Sequence, residues 1–204
     1  MAIDFKQSET MKNLMRAFAG ESQARNRYTF AASQARKNGL FVIAQVFTFT
    51  ADQEREHAQV FYNHLKELAG ETIHVDGGYP VDINQDIEVL LEMAQHNEYE
   101  EHNDVYKSFG DKARGEGFDK VAGSFQMIAE IEKLHGDRFG AFAKYLKDNE
   151  LFVSKVDTKW FCLNCGFVLD GKEAPKVCPA CDHPQGYFVR MELAPYCGSG
   201  SFKL

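Results

Sequence analysis

The sequence predicts a mainly α-helical protein in which a four-helix bundle precedes a small four-cysteine metal domain. The bundle is indicated by four long stretches, between about residues 8 and 147, whose apolar residues have the spacing of amphipathic helices. Two of these stretches carry a Glu-x-x-His motif, Glu54/His57 and Glu132/His135. The metal domain is indicated by two Cys-x-x-Cys motifs near the end of the chain, Cys162/Cys165 and Cys178/Cys181.

The first two helices have recognisable ends. Ser8 or Thr10 can cap the start of the first helix, and Asn38-Gly39 is a typical C-terminal stop signal. The second helix is expected to begin near Leu40 and to end at Gly70. The join between these two helices is therefore short.

A longer connection separates the second helix from the third. Gly70–Asp82 contains two adjacent glycines and a proline, and Asp82 with Gln85 three residues later resembles a capping box for the third helix. Gly115 and Gly117 separate the third helix from the fourth, which is expected to reach about Lys147. Two short joins on either side of one long crossover favour a ferritin-like topology over a simple up-down bundle.

The chain changes character after the fourth helix. Short β-prone pieces follow a candidate linker, at Lys159–Phe161, Phe167–Leu169 and Tyr187–Met191. A unit of about 35 residues cannot bury enough core to be stable without a metal or another staple. The predicted organisation is a bundle over 1–147, a linker over 148–157, a metal domain over 158–192 and a tail over 193–204.

Composition excludes several classes of function. The net charge of −7 and the lack of a Lys/Arg cluster argue against nucleic-acid binding. No apolar stretch is long enough to cross a membrane, and the polar N-terminus is unlike a signal peptide, so a cytoplasmic location is expected. The fifth cysteine, Cys197, is interpreted as a free thiol in the tail.

The acidic and histidine residues of the four helices form a candidate two-metal site. Glutamate and histidine three residues apart on a helix point in the same direction, and each candidate lies on the apolar stripe of its helix. Several buried carboxylates need compensating cations, and carboxylate with imidazole ligands suits iron or manganese. The alternative, that they are solvated helix residues, is disfavoured by the complete set: Glu21, Glu54, His57, Glu98, Glu101, Glu132 and His135. The other histidines match no ligand spacing and are expected at the surface or in loops: His64, His74, His96, His102 and His183.

The four cysteines can form a tetrahedral sulfur site. Their spacing alone favours structural zinc. A neighbouring two-metal redox site needs single electrons to turn over, which favours iron instead. Both metals therefore fit the cysteine motifs, with iron preferred because of the rest of the chain.

These motifs resemble the rubrerythrin family over nearly the whole chain. The bundle resembles its ferritin-like domain at Gly20–Tyr28, Glu54–His57, Glu98–Glu101 and Glu132–His135. The last part resembles its rubredoxin-like domain at Trp160–Gly166 and Cys178–Cys181, although Asp182 stands where a rubredoxin usually has glycine. The resemblance implies that the seven acidic and histidine residues bind a di-iron centre and that the four cysteines bind one further iron. It also implies that Tyr28 and Tyr106 hydrogen-bond to ligand carboxylates.

The same resemblance implies a function in oxidative-stress defence. A member of this family is expected to reduce hydrogen peroxide at the di-iron centre, where His57 and Glu101 would compete for one iron. The electrons are expected to come from NAD(P)H, through a separate reductase or a rubredoxin-type donor and then the four-cysteine iron, in a head-to-tail homodimer. One alternative is a ferritin-like protein that oxidises or stores iron. Another is an interaction protein whose four-cysteine domain is a zinc ribbon.

Overall fold

The first two helices form a hairpin. The computed structural model describes residues 3–195. Helix α1 spans Glu9–Lys37 and begins at Ser8, whose Oγ accepts a hydrogen bond from the backbone N of Met11 at 3.1 Å. It ends at Asn38, and Gly39 turns the chain with a φ of +71° into helix α2, Phe41–His64. Of the two predicted caps Ser8 is the observed one, and the Asn38-Gly39 stop is confirmed.

The end of α2 and the start of the third helix differ from the prediction. α2 ends at His64 rather than Gly70, because Leu65 and Leu68 turn back into the core through a short 3₁₀ turn, Lys66–Leu68. Helix α3, Ile87–Glu100, is capped by Asp86, whose Oδ1 accepts from the backbone N of Glu88 at 2.9 Å. Asp82 cannot be the cap, because its carboxylate is already paired with side chains of α1 and α3.

The third predicted helix is divided by a π-helical turn. This turn, Glu101–Val105, follows α3 directly and leads into helix α4, Tyr106–Gly115. Single π turns inside α-helices occur often at functional sites. Gly117, with a φ of +88°, then turns the chain into helix α5, Asp119–Lys147, which ends where the sequence predicts.

Two apolar clusters fill the bundle. α1 packs against α2, and α5 packs against α3 and α4. One cluster contains Tyr28, Phe47 and Phe139, and the other contains Leu14, Phe61 and Phe125. The acidic and histidine candidates lie between these two clusters, on α1, α2, α3, the π-helical turn and α5. The ferritin-like four-helix bundle is confirmed. Within residues 3–195, none of the helices combines the length and apolar character that a membrane span requires.

The C-terminal part is a small antiparallel sheet. Its strands are β1, Val153–Cys162, β2, Val168–Glu173, and β3, Phe188–Arg190, in the order β2-β1-β3. β1 begins within the segment predicted as a linker and is much longer than the predicted piece. Trp160 is fully buried at the centre, and its indole N–H donates to the carbonyl of Gly171 at 3.0 Å.

The sheet domain packs against the end of the bundle where α1 meets α2. The rings of Phe41 and Tyr187 stack with centroids 4.2 Å apart. Gly186 lies so close to the turn between α1 and α2 that a Cβ atom there would be 1.8 Å from the carbonyl oxygen of Gly39. The Arg190 guanidinium donates to the carbonyls of Glu150 and Val153, which ties β3 to the connection from α5. The four-cysteine domain is thus seated at one end of its own bundle.

Candidate metal centres

The fold brings the predicted acidic and histidine residues into one buried layer. Glu21, Glu54, Glu98 and Glu132 come from α1, α2, α3 and α5, and each is at most 1% exposed. His57 and His135 lie one turn after the glutamates of α2 and α5 and are also buried. Glu101 opens the π-helical turn and is half-buried, so it is the most accessible of the set.

The geometry of the layer has two poles. His57 Nδ1 lies 2.9 Å from Glu132, 3.2 Å from Glu54 and 3.8 Å from Glu21. His135 Nδ1 lies 2.9 Å from both Glu54 and Glu132 and 3.6 Å from Glu98.

Glu54 and Glu132 thus reach both histidines, whereas Glu21 and Glu98 each reach one. Ligand atoms of Glu101, Glu21 and Glu132 lie within 4.8 Å of one another, which places Glu101 at the His57 pole. This is the arrangement expected for two metals bridged by two carboxylates.

Unpartnered polar atoms show that the layer fits metal ions. Four carboxylates of the layer have buried oxygens with no hydrogen-bond partner among the described residues, those of Glu21, Glu54, Glu98 and Glu132. His135 Nδ1 also has none, because its 2.9 Å contacts with Glu54 and Glu132 lack hydrogen-bond geometry. Buried polar atoms are rarely left unsatisfied in proteins. Their convergence on one small volume matches two divalent cations with carboxylate and imidazole ligands.

The electrostatics of the layer agree with this fit. Burial raises the pKa of Glu98 to about 8 and raises the pKa values of Glu21 and Glu101 well above their usual range. Burial opposes protonation of His135, but the carboxylates of Glu132, Glu54 and Glu98 close to its ring raise its pKa to about 12. Without cations the layer therefore holds protons, and metal ions must displace them on binding.

Two tyrosines donate hydrogen bonds to the layer. Tyr28 donates to Oε1 of Glu98 and Tyr106 donates to Oε1 of Glu21, each at 2.5 Å. Both rings are 2% exposed, and burial raises the pKa of each phenol well above its usual range. The phenols therefore stay protonated and fix one oxygen of each carboxylate, leaving the other to face the centre of the layer.

The four cysteines form a second candidate metal site. Sγ of Cys162 lies 3.9 Å from Sγ of Cys181, and Sγ of Cys165 lies 3.7 Å from Sγ of Cys178. A tetrahedral site with metal–sulfur bonds of about 2.3 Å has sulfur–sulfur distances of about 3.8 Å. The separations fit a bound metal and are far too long for disulfides.

The two cysteine loops share one backbone geometry. The backbone N of Gly166 donates to the carbonyl of Cys162 at 2.8 Å, and the backbone N of Asp182 donates to that of Cys178 at 2.9 Å. Gly166 has a φ of +80° and Asp182 a φ of +57°, so both occupy the left-handed region. Aspartate tolerates this region better than most residues, and the second loop keeps its shape despite the missing glycine.

Comparison with known proteins identifies the family. The family model for rubrerythrin matches residues 12–144, and the model for the rubredoxin-like domain of rubrerythrin matches residues 160–189. The chain belongs to the rubrerythrin family. It is 45% identical to the rubrerythrin of Clostridium perfringens, over 90% of this chain and 94% of the relative. It is 43% identical to that of Nitratidesulfovibrio vulgaris, over 92% of this chain and 97% of the relative.

Solved structures agree with this assignment. Fully reduced nigerythrin aligns with a TM-score of 0.61 at 28% identity, over 89% of this chain and 86% of that chain. Bacterioferritin of Desulfovibrio desulfuricans aligns with a TM-score of 0.63 at 23% identity, over 70% of this chain and 82% of that chain, which shows the shared bundle fold alone. As a rubrerythrin-family member, the chain is a di-iron oxidoreductase whose second metal site is the rubredoxin-like four-cysteine site.

Sequence reasoning missed the residue that hydrogen-bonds to Nε2 of His135 in this rubrerythrin-family chain. Nε2 of His135 lies 3.0 Å from Oε1 of Gln53, which also accepts from the Arg138 guanidinium at 3.0 Å. Arg138 donates to the Thr50 hydroxyl as well, at 2.9 Å. Because Gln53 accepts from Arg138, its carbonyl is oriented to accept from His135, which leaves Nδ1 free for a metal. Neither Gln53 nor Arg138 lies on an apolar stripe, so periodicity gave no signal for them.

The expectation for the remaining histidines is wrong at two positions. His64 is half-buried and its Nε2 lies 2.9 Å from the Ser124 hydroxyl, and His102 is half-buried with Nδ1 2.8 Å from the carbonyl of Ala129. Both connect elements of the bundle rather than facing solvent. Cys197 lies outside the described residues.

Proposed function

We propose that the protein is a peroxidase that reduces hydrogen peroxide to water at its di-iron centre. The observation that carries the proposal is the presence, in one chain, of a buried layer fitted to two metals and a four-sulfur site fitted to one. A protein that only oxidises or stores iron has no use for a sulfur-bound electron carrier. A zinc-ribbon interaction protein has no use for a buried layer of carboxylates.

We assign seven ligands to the two irons. Glu54 and Glu132 would bridge the two ions because their oxygens approach both histidines. Glu21 would complete the His57 pole and Glu98 the His135 pole. Glu101 shares the first pole with His57, which supports an exchange of these two ligands between redox states.

The chemistry is a two-electron reduction. Two ferrous ions held by these residues would supply the two electrons that, together with two protons, reduce one hydrogen peroxide to two waters. The surrounding residues exclude bulk water and hold the carboxylates in place through Tyr28 and Tyr106. Protonated phenols beside the layer keep these hydrogen bonds through the reaction, because their pKa values are raised by burial.

The electrons for the next turnover would come one at a time through the four-cysteine iron. Their source would be NAD(P)H, through a separate reductase or a rubredoxin-type donor, since the chain has no glycine-rich dinucleotide loop.

The position of the four-cysteine domain favours transfer between two copies of the chain. The domain contacts its own bundle through Tyr187, whose ring stacks on Phe41 at the start of α2. Glu54 follows Phe41 by thirteen positions in α2, which is a distance of about 20 Å along the axis. A head-to-tail homodimer, in which the sheet domain of one copy approaches the layer of the other, would shorten this path.

The test separates peroxide chemistry from electron supply. In a variant with both Cys162→Ser and Cys165→Ser, a single oxidation of the chemically reduced di-iron centre by hydrogen peroxide should keep its rate. Steady-state turnover with NADH and a reductase should be lost. A change at exposed Lys159, Lys159→Ser, serves as a control in the same domain. Full turnover in the double variant would mean that the four-cysteine site has a structural role only.

A further inference from the structure

A cavity lies between solvent and the most accessible residue of the layer. Its volume is about 530 Å³, and its inner wall includes Glu101 and Tyr106. Its outer wall includes Gly77, Gly78, Tyr79 and Pro80 of the crossover, all of them exposed on their other side. The crossover therefore forms one wall of the cavity that leads to Glu101 at the His57 pole of the metal layer.

This wall, which we call the strap (residues 76–82), is held at both ends. At one end the Arg16 guanidinium donates to the carbonyl of Asp76 at 3.0 Å and to its carboxylate at 2.8 Å. At the other end Asp82 accepts from Arg27 and, at 2.7 Å, from Nδ2 of Asn97. The Arg27–Asp82 pair has side chains only 11% and 15% exposed, so solvent screens it less than an ordinary surface pair. The strap is thus fastened to α1 and α3 although it has no regular secondary structure.

Tyr79 narrows the cavity from the middle of the strap. Its hydroxyl donates to the carbonyl of Arg16 at 2.9 Å, and its ring edge is 3.6 Å from the position that a Cβ of Gly20 would occupy. The ring therefore closes the gap between the strap and α1, and Gly20 leaves free space beneath it. No other large side chain of the strap lines this cavity among the described residues.

We propose that this cavity is the route by which peroxide reaches the di-iron centre and that Tyr79 excludes bulky hydroperoxides. This inference rests on the peroxidase function proposed above. The lining supports a small, uncharged and polar substrate, because it contains Asn97 and Gln23, which can hydrogen-bond to a peroxide. Its acidic residues Glu100 and Asp104 disfavour anions, and its one arginine, Arg16, is already paired with Glu9 and Asp76. Hydrogen peroxide is small, uncharged and polar, whereas an aryl hydroperoxide is too bulky to pass the Tyr79 ring.

Three variants of the full iron-loaded protein test the route. Tyr79→Ala opens it, and Tyr79→Phe keeps the ring but removes the hydrogen bond to Arg16. Gly20→Leu fills it, because Gly20 lines the cavity and a Cβ there meets only the edge of the Tyr79 ring, at 3.6 Å. Val81→Ala is the matched control, since Val81 lies in the strap but is 81% exposed and does not line the cavity.

The first measurement is the rate at which the anaerobically reduced protein is oxidised by hydrogen peroxide or by cumene hydroperoxide. Tyr79→Ala should raise the rate with cumene hydroperoxide by about tenfold or more and change the rate with hydrogen peroxide by less than about twofold. Tyr79→Phe should raise the rate with cumene hydroperoxide, relative to that with hydrogen peroxide, less than Tyr79→Ala does. Gly20→Leu should slow oxidation by both peroxides by about tenfold. Unchanged rates in Tyr79→Ala and Gly20→Leu, at equal iron content, would overturn the proposed route.

The second measurement does not depend on peroxidase activity. Nitric oxide binds ferrous centres with a change in absorption, so its association rate with the di-iron centre, measured in the Cys162→Ser, Cys165→Ser background, reports access to that centre. Gly20→Leu should slow association by about tenfold while iron content and the spectrum of the bound form stay unchanged. Equal association rates in all variants would overturn the route. If Gly20→Leu slows nitric oxide association as expected but no peroxide oxidises the protein, the route is supported and the peroxidase function is refuted.

Discussion

Removing the metals should make the stability of the bundle depend strongly on pH between 6 and 8. In the metal-free fold, burial raises the pKa of Glu98 from 4.5 to about 8. Burial opposes the charging of His135, but its carboxylate partners raise its pKa from 6.5 to about 12. The folded protein therefore holds protons at both groups that the unfolded chain has released.

The sign and size of the effect follow from these values. A group whose folded-state pKa is raised contributes stability that is complete below its unfolded pKa and is lost as the pH rises through the folded pKa. Between pH 6 and 8, Glu98 and His135 together hold about one to two extra protons when folded, so the free energy of unfolding should fall by roughly 3–5 kcal/mol. Glu21, Glu101 and His57, whose pKa values are also raised, act in the same direction.

The assay is urea unfolding followed by far-ultraviolet circular dichroism, at pH 6, 7 and 8, on chelated and iron(II)-loaded protein without oxygen. The loaded protein should show a shallower dependence, because metal ions replace the protons. Glu98→Gln removes one titrating group, and in the chelated protein it should reduce the slope by about 1.4 kcal/mol per pH unit. If the chelated protein keeps the same stability from pH 6 to 8, or gains stability, the buried layer does not hold protons in the way described.

Three further predictions concern individual residues. Glu132→Ala and His135→Ala should abolish oxidation by peroxide but leave the helical signal intact, and for Glu132→Ala the loss of a buried carboxylate also relieves charge repulsion. Full peroxidase rate with two irons bound in the bundle would refute the ligand assignment. Mixing the inactive variants Cys162→Ser and Glu132→Ala should restore part of the turnover after subunit exchange, and no recovery despite demonstrated exchange would indicate transfer within one chain. Gln53→Leu should weaken iron binding about 10- to 100-fold, by competition with a chelator, because His135 loses the acceptor for its Nε2–H; an unchanged affinity would show that Gln53 does not orient His135.

Periodicity predicts which of these side chains the bundle buries. Of the glutamates that the sequence places on an apolar stripe, four are buried in the structure and Glu101 is half-buried, because a helix face that packs inward carries the residues of that face with it. The start at Ser8 and the end near Lys147 were also predictable, since they depend on local signals.

Features set by tertiary contacts were not predictable in this way. Asp82 is followed by a favourable capping sequence, but its pairing with Arg27 prevents that role, and those residues are far apart in sequence. The same applies to Gln53, whose contact with His135 joins two helices, and to Tyr79, which meets α1 only because the strap is fastened across it. The periodicity of apolar residues along one helix holds no information about contacts between residues that are far apart in sequence.

The central claim is tested most directly by anaerobic titration of the fully reduced, metal-analysed protein with hydrogen peroxide. We expect about three irons per chain, two in the bundle and one bound by the cysteines. Because each peroxide accepts two electrons, complete oxidation should consume about 1.5 equivalents per chain, and about one equivalent in the Cys162→Ser, Cys165→Ser variant. Two irons with one zinc per chain, or oxidation by peroxide no faster than by dioxygen, would contradict the account.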